Sequence, residues 1–239
     1  MQSAPNLKGL LKSQFRQVEE CGEGDSFVVR DFLSSSKADE VLESVDEGVQ
    51  WLDRADPRMQ FKLYGKVLQL PQDKAVYGDV KFDEEKNERV EPYYKYAKDT
   101  PPVESWHDST LEVLSEFIAK KSGQVCNHVV INQYRSGDDH ISFHHDKSKS
   151  FEPGSSVLTL SLGAERILRL RKKIRNEKGK MVLKGDIVDI KLNHGSIFVL
   201  GSKTNTLWKH AIIKTKKVQS RRVSLTYRAI AGRRRTPIM

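Results

Sequence analysis

A histidine and an aspartate two positions apart are the clearest sign of chemistry in this sequence. His144 and Asp146 stand in the segment His144-His145-Asp146. On an extended segment, side chains two positions apart point to the same face, so this imidazole and this carboxylate can bind one ion. A third ligand from elsewhere would leave three coordination positions open, which is typical of non-haem iron oxygenases. The pair alone is weak evidence, because a loop of exposed polar residues gives the same pattern.

The C-terminal part of the chain supplies the groups that such a site needs. His210 offers a third ligand, and Arg222 follows it after twelve residues, with Arg228 at the end of the same segment. On a strand these two arginines share one face. A guanidinium binds a carboxylate as a two-pronged fork, so the pattern predicts a site for a dicarboxylate such as 2-oxoglutarate. Asn132 and Tyr134, again two apart, offer an amide and a phenol to the same pocket.

The elements that must position these residues change in character along the chain. Apolar residues at helical spacing predict helices over 34–52 and 105–123, the second ending at Gly123. From residue 125 onward the segments are short, β-branched and separated by turn residues. They predict strands over 128–135, 156–162, 166–172, 185–192, 195–201, 207–214 and 222–230. Helices followed by strands predict an α+β fold, with the helices on one side of a sandwich or jelly roll.

Composition limits the class of protein. The chain has 239 residues, of which 37 % are hydrophobic and 31 % charged, and this suits one globular domain. No apolar run approaches the roughly 18 residues that span a bilayer, so no membrane partner is expected. We expect a monomer, with residues 1–25 as a flexible N-terminal arm and residues 231–239 as a basic C-terminal tail.

The net charge of +9 is concentrated in clusters of basic residues. One lies within 166–175, another within 214–222, and a third at Arg233–Arg235. Such patches attract polyanions, because binding releases counterions from phosphates. A solvated basic surface without a partner is the alternative, and charge alone does not decide between the two. The Arg233–Arg235 segment is equally compatible with a nuclear localisation signal and with a charged chain end.

Together these motifs resemble the AlkB family of Fe(II)- and 2-oxoglutarate-dependent dioxygenases, which oxidatively dealkylate nucleobases. Asn-x-Tyr, His-x-Asp, a distant His and Arg-x-x-x-x-x-Arg occur in the family's order. The similarity runs from about Asp25 to Ile230 and includes Thr204-Asn205-Thr206. It implies a dioxygenase domain over 26–230, built as a double-stranded β-helix over about 125–230. N-terminal helices and a nucleotide-recognition lid over about 60–100 would precede this core.

The resemblance also implies a role for individual residues. Iron would be bound by His144, Asp146 and His210, and 2-oxoglutarate by Asn132, Tyr134, Arg222, Thr226 and Arg228. Substrate contacts would come from Tyr64, Gly65, Lys66, Tyr94, Lys95, Tyr96 and Lys147. Nucleic-acid contacts would come from Arg171, Lys172, Lys173, Lys216 and Lys217.

Tyr64 falls where relatives that act on duplex DNA insert an aromatic wedge. Tyr94 and Tyr96 fall where the family grips a base that has been flipped out of the stack. An aromatic core cluster is the alternative interpretation of these tyrosines. Two departures from the family pattern matter. Ser148 replaces an acid that helps read the exocyclic amine of the base, and Ser224 replaces an Asn between the two arginines.

The function implied is oxidative demethylation of lesions such as 1-methyladenine and 3-methylcytosine, in double-stranded DNA and in the nucleus. O2 and 2-oxoglutarate would be consumed, and formaldehyde, succinate and CO2 released. An RNA-directed member of the same family is the first alternative. A nucleic-acid-binding protein that has lost catalysis is the second, and the complete set of metal ligands argues against it.

Overall fold

The computed structural model describes residues 7–56, 59–63, 66–94 and 102–238. The helices are α1 (Leu7–Gln14), α2 (Ser35–Gly48), α3 (Thr110–Ser122) and α4 (Ser202–Leu207). The strands before α3 are β1 (Val18–Cys21), β2 (Ser26–Val29), β3 (Gln60–Leu63), β4 (Lys66–Gln69), β5 (Asp73–Gly78), β6 (Lys81–Asp83), β7 (Glu88–Pro92) and β8 (Glu104–Ser105). The later strands are β9 (His128–Tyr134), β10 (Ile141–His144), β11 (Val157–Gly163), β12 (Arg166–Lys172), β13 (Ile174–Arg175), β14 (Met181–Val182), β15 (Ile187–Leu192), β16 (Ile197–Leu200), β17 (Trp208–Ile212), β18 (Arg222–Arg228) and β19 (Arg233–Pro237).

Two facing sheets form the framework of the site. The major sheet has eight strands in the order β1-β2-β16-β11-β18-β9-β5-β8, and the minor sheet has four in the order β10-β17-β12-β15. Side chains of both sheets share one apolar cluster, in which Phe198 and Tyr134 of the major sheet join Leu170 and Trp208 of the minor sheet. A sandwich of short antiparallel strands is the jelly-roll arrangement. The prediction of an α+β jelly roll is therefore confirmed.

A second apolar cluster fixes the helices on the opposite face of the major sheet. Val41 and Val45 of α2 and Ile118 of α3 are buried there against Leu160 and Leu225 of the sheet. These positions follow the helical spacing of the sequence, as burial of one helix face requires. None of the described helices is long and apolar enough to cross a membrane.

Both large helices are shorter than predicted, α2 at its C-terminal end and α3 at its N-terminal end, whereas the capped ends at Ser34 and Gly123 agree with the prediction. The hydroxyl of Ser34 accepts a hydrogen bond from the backbone N–H of Lys37 at 3.3 Å, which starts α2. Gly123 ends α3 with a φ of 72°, a left-handed conformation that glycine adopts without strain.

The N-terminal segment differs from the predicted flexible arm. Leu7 and Leu11 are buried on one face of α1, which packs on α3, and the Gln14 side chain donates to the Lys121 carbonyl at 2.9 Å. Strand β1 then pairs with β2 at the edge of the major sheet. The spacing of Leu7 and Leu11 was the available signal, but eight residues are too few for a reliable helical period.

The C-terminal segment differs from the predicted basic tail. Strand β19 pairs with β7, and the guanidinium of Arg234 forms an ion pair with Glu91, a side chain only 1 % exposed. Arg235 pairs with Glu88 at 3.1 Å. Acidic residues far away in the sequence thus neutralise this basic run, which local sequence reading could not reveal.

His128 is a buried histidine at the start of β9. Its side chain is 1 % exposed, its Nδ1 has no hydrogen-bond partner, and its ring lies edge-on to Tyr94 with centroids 5.6 Å apart. Burial lowers the pKa of His128 well below its usual value, and the charges of Arg228 and Lys74 act in the same direction. The folded protein therefore holds this imidazole neutral.

We predict that His128→Phe makes the protein less sensitive to mild acid. An unfolded histidine takes up a proton below a pH of about 6.5, whereas the folded one does not, so wild-type stability falls as pH drops through this range. One such proton costs up to about 1.4 kcal/mol per pH unit. Urea unfolding of both proteins between pH 7.5 and pH 5 measures the difference. Parallel stability curves for the two proteins would contradict the assignment.

Candidate active site

Three potential metal ligands meet where the minor sheet pairs its first two strands. β10 and β17 are antiparallel, and His144 lies directly opposite His210, with ring centroids 4.1 Å apart. Asp146 follows β10 by two residues and is 7 % exposed. One ligand atom from each of the three side chains lies within 4.8 Å of the others. The structure thus brings together the three residues that the sequence predicts as metal ligands.

The protonation of these side chains suits a divalent cation. The Nδ1–H of His144 donates to the carbonyl of Ser142 at 2.9 Å, which leaves Nε2 as the free ligand atom. Burial lowers the pKa of His210 to about 3, with a smaller contribution from His144. Metal binding needs neutral imidazoles, so His210 requires no proton loss at neutral pH.

Arg228 keeps the carboxylate of Asp146 ionised. Burial by itself would raise the pKa of Asp146, but the charge of Arg228 is the largest of several opposing effects that together bring the pKa to about 2. The guanidinium Nη2 donates to Asp146 Oδ2 at 3.0 Å, and both side chains are 8 % exposed. An ionised carboxylate beside two imidazoles is the donor set of the two-histidine, one-carboxylate iron sites, so these residues fit Fe(II).

Asn205 holds the backbone of Asp146, and sequence analysis gave it no role. Its Oδ1 accepts from the Asp146 N–H and its Nδ2 donates to the Asp146 carbonyl, both at 2.9 Å. The side chain is 4 % exposed on the short helix α4. Asp25 fixes the start of this helix by accepting from the Lys203 N–H at 2.8 Å. The Thr204-Asn205-Thr206 motif was visible in the sequence, but its contact with residue 146 was not.

Arg222 is a buried cation without a carboxylate partner in the described part of the chain. It is 1 % exposed and donates through Nη2 to the hydroxyl of Ser161 at 2.8 Å. Its Nε and Nη1 are buried and have no hydrogen-bond partner. Burial lowers the pKa of Arg222 to about 10, so it is still charged at neutral pH. A buried guanidinium with unused donors in the wall of a cavity fits the carboxylate of a dicarboxylate.

The remaining 2-oxoglutarate residues lie on the same face of two paired strands. Register places Tyr134 of β9 opposite Arg222, and Asn132 opposite Ser224, while Thr226 lies further along β18. Together with Arg228 and the three metal ligands, these residues line one cavity. The five residues predicted to bind 2-oxoglutarate are therefore adjacent to the metal ligands.

Arg166 is a third buried arginine, and sequence analysis gave it no role in the site. It is 2 % exposed and stacks on the Tyr134 ring, with Cζ 5.6 Å from the centroid. It donates at 2.8 Å to the carbonyls of Ser136, Asp139 and Ile213, and so joins the loop before β10 to the loop after β17. Its alternation with two buried leucines in β12 was a usable signal.

The substrate residues predicted in the lid are only partly described. Tyr64, Gly65, Lys95 and Tyr96 lie outside the described residues. Lys66 is exposed at the start of β4, in the hairpin of β3 and β4. Tyr94 is 7 % exposed, with Arg228 5.1 Å from its ring centroid, and its hydroxyl accepts from the Lys147 N–H at 3.2 Å. This packing matches the alternative interpretation of an aromatic core residue, and base contacts by these residues remain predictions.

The predicted nucleic-acid contacts fall into two environments. Lys216 and Lys217 are exposed in the loop between β17 and β18. Lys172 pairs with Glu23 at 2.7 Å and lies over the Trp208 ring, so its charge is already engaged within the chain. Arg171 and Lys173 flank it and are partly exposed.

We predict that Asn205→Ala weakens metal binding by about 10- to 100-fold, the usual effect of losing a partner that orients a ligand. The reason is that both hydrogen bonds that hold the backbone of Asp146 are lost. Anaerobic calorimetric titration with Mn(II), a stand-in for Fe(II), measures the affinity. Thr206→Val is the matched control, because the Thr206 hydroxyl donates only within α4, to the Ser202 carbonyl. Equal Mn(II) affinity in Asn205→Ala and wild type would refute the role of Asn205.

Comparison with known proteins agrees with this geometry. Residues 25–228 match the model of the 2OG-Fe(II) oxygenase superfamily. Human DNA oxidative demethylase ALKBH2 is 31 % identical over 199 residues, which cover 83 % of this chain and 70 % of the relative. Human alpha-ketoglutarate-dependent dioxygenase alkB homolog 3 is 28 % identical over 200 residues, 83 % of this chain and 64 % of the relative.

A solved structure shows the same fold at low sequence identity. OsALKBH1 superposes with a TM-score of 0.52 at 16 % identity, covering 89 % of this chain and all of that structure. The family match spans the metal ligands and both arginines of the cavity. Fe(II), 2-oxoglutarate and O2 are therefore the cofactor and cosubstrates of this enzyme. The chain belongs to the 2OG-Fe(II) oxygenase superfamily and, within it, to the AlkB family of dioxygenases.

Proposed function

We propose that this chain is a DNA oxidative demethylase that removes methyl groups from ring nitrogens of nucleobases, as in 1-methyladenine and 3-methylcytosine. The observation that carries the proposal is the His144, Asp146 and His210 cluster beside the uncompensated cation of Arg222. The name of the human relative, DNA oxidative demethylase, supports the same activity and nucleic acid as the substrate.

Different residues of the cavity have different roles in this reaction. His144, Asp146 and His210 would hold Fe(II), and Arg222 would anchor the far carboxylate of 2-oxoglutarate. Fe(II) and 2-oxoglutarate, when bound, activate O2 so that one oxygen atom enters succinate and the other enters the methyl group. The hydroxylated methyl group leaves as formaldehyde, and CO2 is released from 2-oxoglutarate. Arg228 keeps Asp146 ionised, and the buried walls of the cavity limit access of water.

We further propose that the substrate base is flipped out of double-stranded DNA. A methyl group on a base inside a duplex cannot reach a buried metal, so the enzyme must extrude the nucleotide. The hairpin of β3 and β4 supports this step, because Lys66 and Val67 at the start of β4 are exposed. Tyr64, which stands between β3 and β4 in the sequence, would be the wedge that replaces the base in the stack.

A monomer and a nuclear location complete the proposal. All metal ligands and Arg222 come from one chain, so no second copy is needed to complete the site. A DNA substrate favours the nucleus. The Arg233–Arg235 run adds no support, because in the folded chain it forms a strand with acidic partners.

Mass spectrometry of methylated oligonucleotides tests the proposal directly. With Fe(II) and 2-oxoglutarate supplied, we expect demethylation of 1-methyladenine or 3-methylcytosine in duplex DNA, at a higher rate than in the single strand. His144→Ala and Asp146→Ala should abolish this turnover and succinate formation, because each removes a metal ligand. His144→Ala should remain folded, since its side chain belongs to neither of the two large apolar clusters. Asp146→Ala, by contrast, also leaves the buried Arg228 without its ion-pair partner, so its fold is checked by circular dichroism.

Three outcomes would contradict parts of the proposal. Undiminished turnover in either variant would refute the metal assignment. Demethylation of methylated RNA in preference to DNA would replace the substrate. Succinate formation without loss of methyl groups from any oligonucleotide would support the dioxygenase activity but contradict demethylation of nucleobases.

A further inference from the structure

We infer that Arg171, Lys209, His145 and Lys173 form one phosphate-binding site on the outer face of the minor sheet, called here the Lys209 cluster. Its ligand is the sugar-phosphate backbone of the substrate nucleic acid. The inference rests on the proposed function, since it names the surface that would hold that substrate. Lys209 and His145 are the members that neither the motifs nor the resemblance assigned to nucleic acid.

The register of three adjacent strands creates the cluster. His144 of β10 lies opposite His210 of β17, and His210 lies opposite Leu170 of β12, so these residues face the interior. Lys209, the neighbour of His210 on β17, lies opposite Arg171 of β12. His145 follows directly after the last residue of β10. Successive residues of a strand point to opposite faces, so this second row faces outward, directly behind the metal ligands.

The cluster differs from the other basic residues of the same sheet in its ion pairing. Arg169 pairs with Asp189 at 2.6 Å, Lys172 with Glu23 at 2.7 Å and Lys191 with Glu165 at 3.9 Å. By contrast, no described acidic group lies within 4.0 Å of the side-chain nitrogens of the Lys209 cluster.

The members of the cluster are close enough to repel one another. Lys209 and Arg171 lie directly opposite each other on paired strands, so their positive charges are neighbours. In addition, the Nε of Arg171 is buried from solvent without a hydrogen-bond partner. Grouped positive charges without a counterion are relieved by an anion bound across them.

The dimensions favour a chain of phosphates over a single anion. Neighbouring strands are about 4.8 Å apart, so a row across three strands spans about 10 Å. Phosphates recur along a nucleic-acid strand, so a row of this length can contact more than one of them. Because the cluster lies outside the catalytic cavity, its contribution can be measured as binding, without turnover.

The salt dependence of binding tests the cluster. Anisotropy of a labelled, lesion-free DNA duplex, titrated with metal-free protein between about 50 and 200 mM NaCl, gives the slope of log K against log salt. Each lost phosphate contact reduces the slope by about 0.9, so we expect this change in Lys209→Gln and, independently, in Arg171→Gln. The double variant should lose about twice as much.

Lys191→Gln is the matched control, because it removes one lysine charge from the outer face of the same sheet, at an exposed and loosely paired position. Its slope should equal that of the wild type. Slopes of Lys209→Gln and Arg171→Gln that also equal the wild-type slope would overturn the inference, and so would a wild type that binds no duplex.

The oligonucleotide assay separates this failure from that of the proposed function. If the wild type demethylates DNA but the variants have the same salt dependence of binding as the wild type, only the Lys209 cluster is refuted. Reduced slopes in a protein that demethylates no oligonucleotide would support the cluster and remove the demethylase activity.

Discussion

The pairing of β10 with β17 is the contact on which the active site depends. It places His144 opposite His210, and the alternation of the strand then brings Asp146 to the same side two residues later. A slip of this pairing by one residue would turn one imidazole out of the cavity and bring a cation of the outer row in. Asn205 and Arg228 secure Asp146, the one ligand that lies beyond the end of the strand.

Buried arginines are the second constraint, and they are used in two different ways. Arg166 donates through both terminal nitrogens to backbone carbonyls and joins two loops, so its charge serves the structure. Arg222 has one hydroxyl partner and two unused donors beside the metal ligands. Burying an unpaired charge destabilises a fold. A bound dicarboxylate would remove this electrostatic cost at Arg222. Binding of 2-oxoglutarate should therefore stabilise the fold as well as enable catalysis.

The sequence predicted most of the strand-borne site, because a period of two residues fixes which side chains share a face. His144 with Asp146 and Asn132 with Tyr134 are predictable in this way. Asn205 was not, since its role depends on which helix packs over the metal ligands, and that contact spans 59 positions of sequence. The terminal segments were misjudged for a similar reason. Their apolar and basic residues acquire partners only in the tertiary structure, as α1 does on α3.

The central claim is that three side chains bind one metal ion beside a cation that binds a dicarboxylate. Anaerobic calorimetry of wild type and Arg222→Gln, titrated first with Mn(II) and then with 2-oxoglutarate, tests it most directly. We predict one Mn(II) per chain in both proteins, and a 2-oxoglutarate affinity about 100-fold lower in the variant, because a charged hydrogen-bonded pair is lost. Equal 2-oxoglutarate affinity in the two proteins, or the absence of Mn(II) binding in the wild type, would contradict the claim.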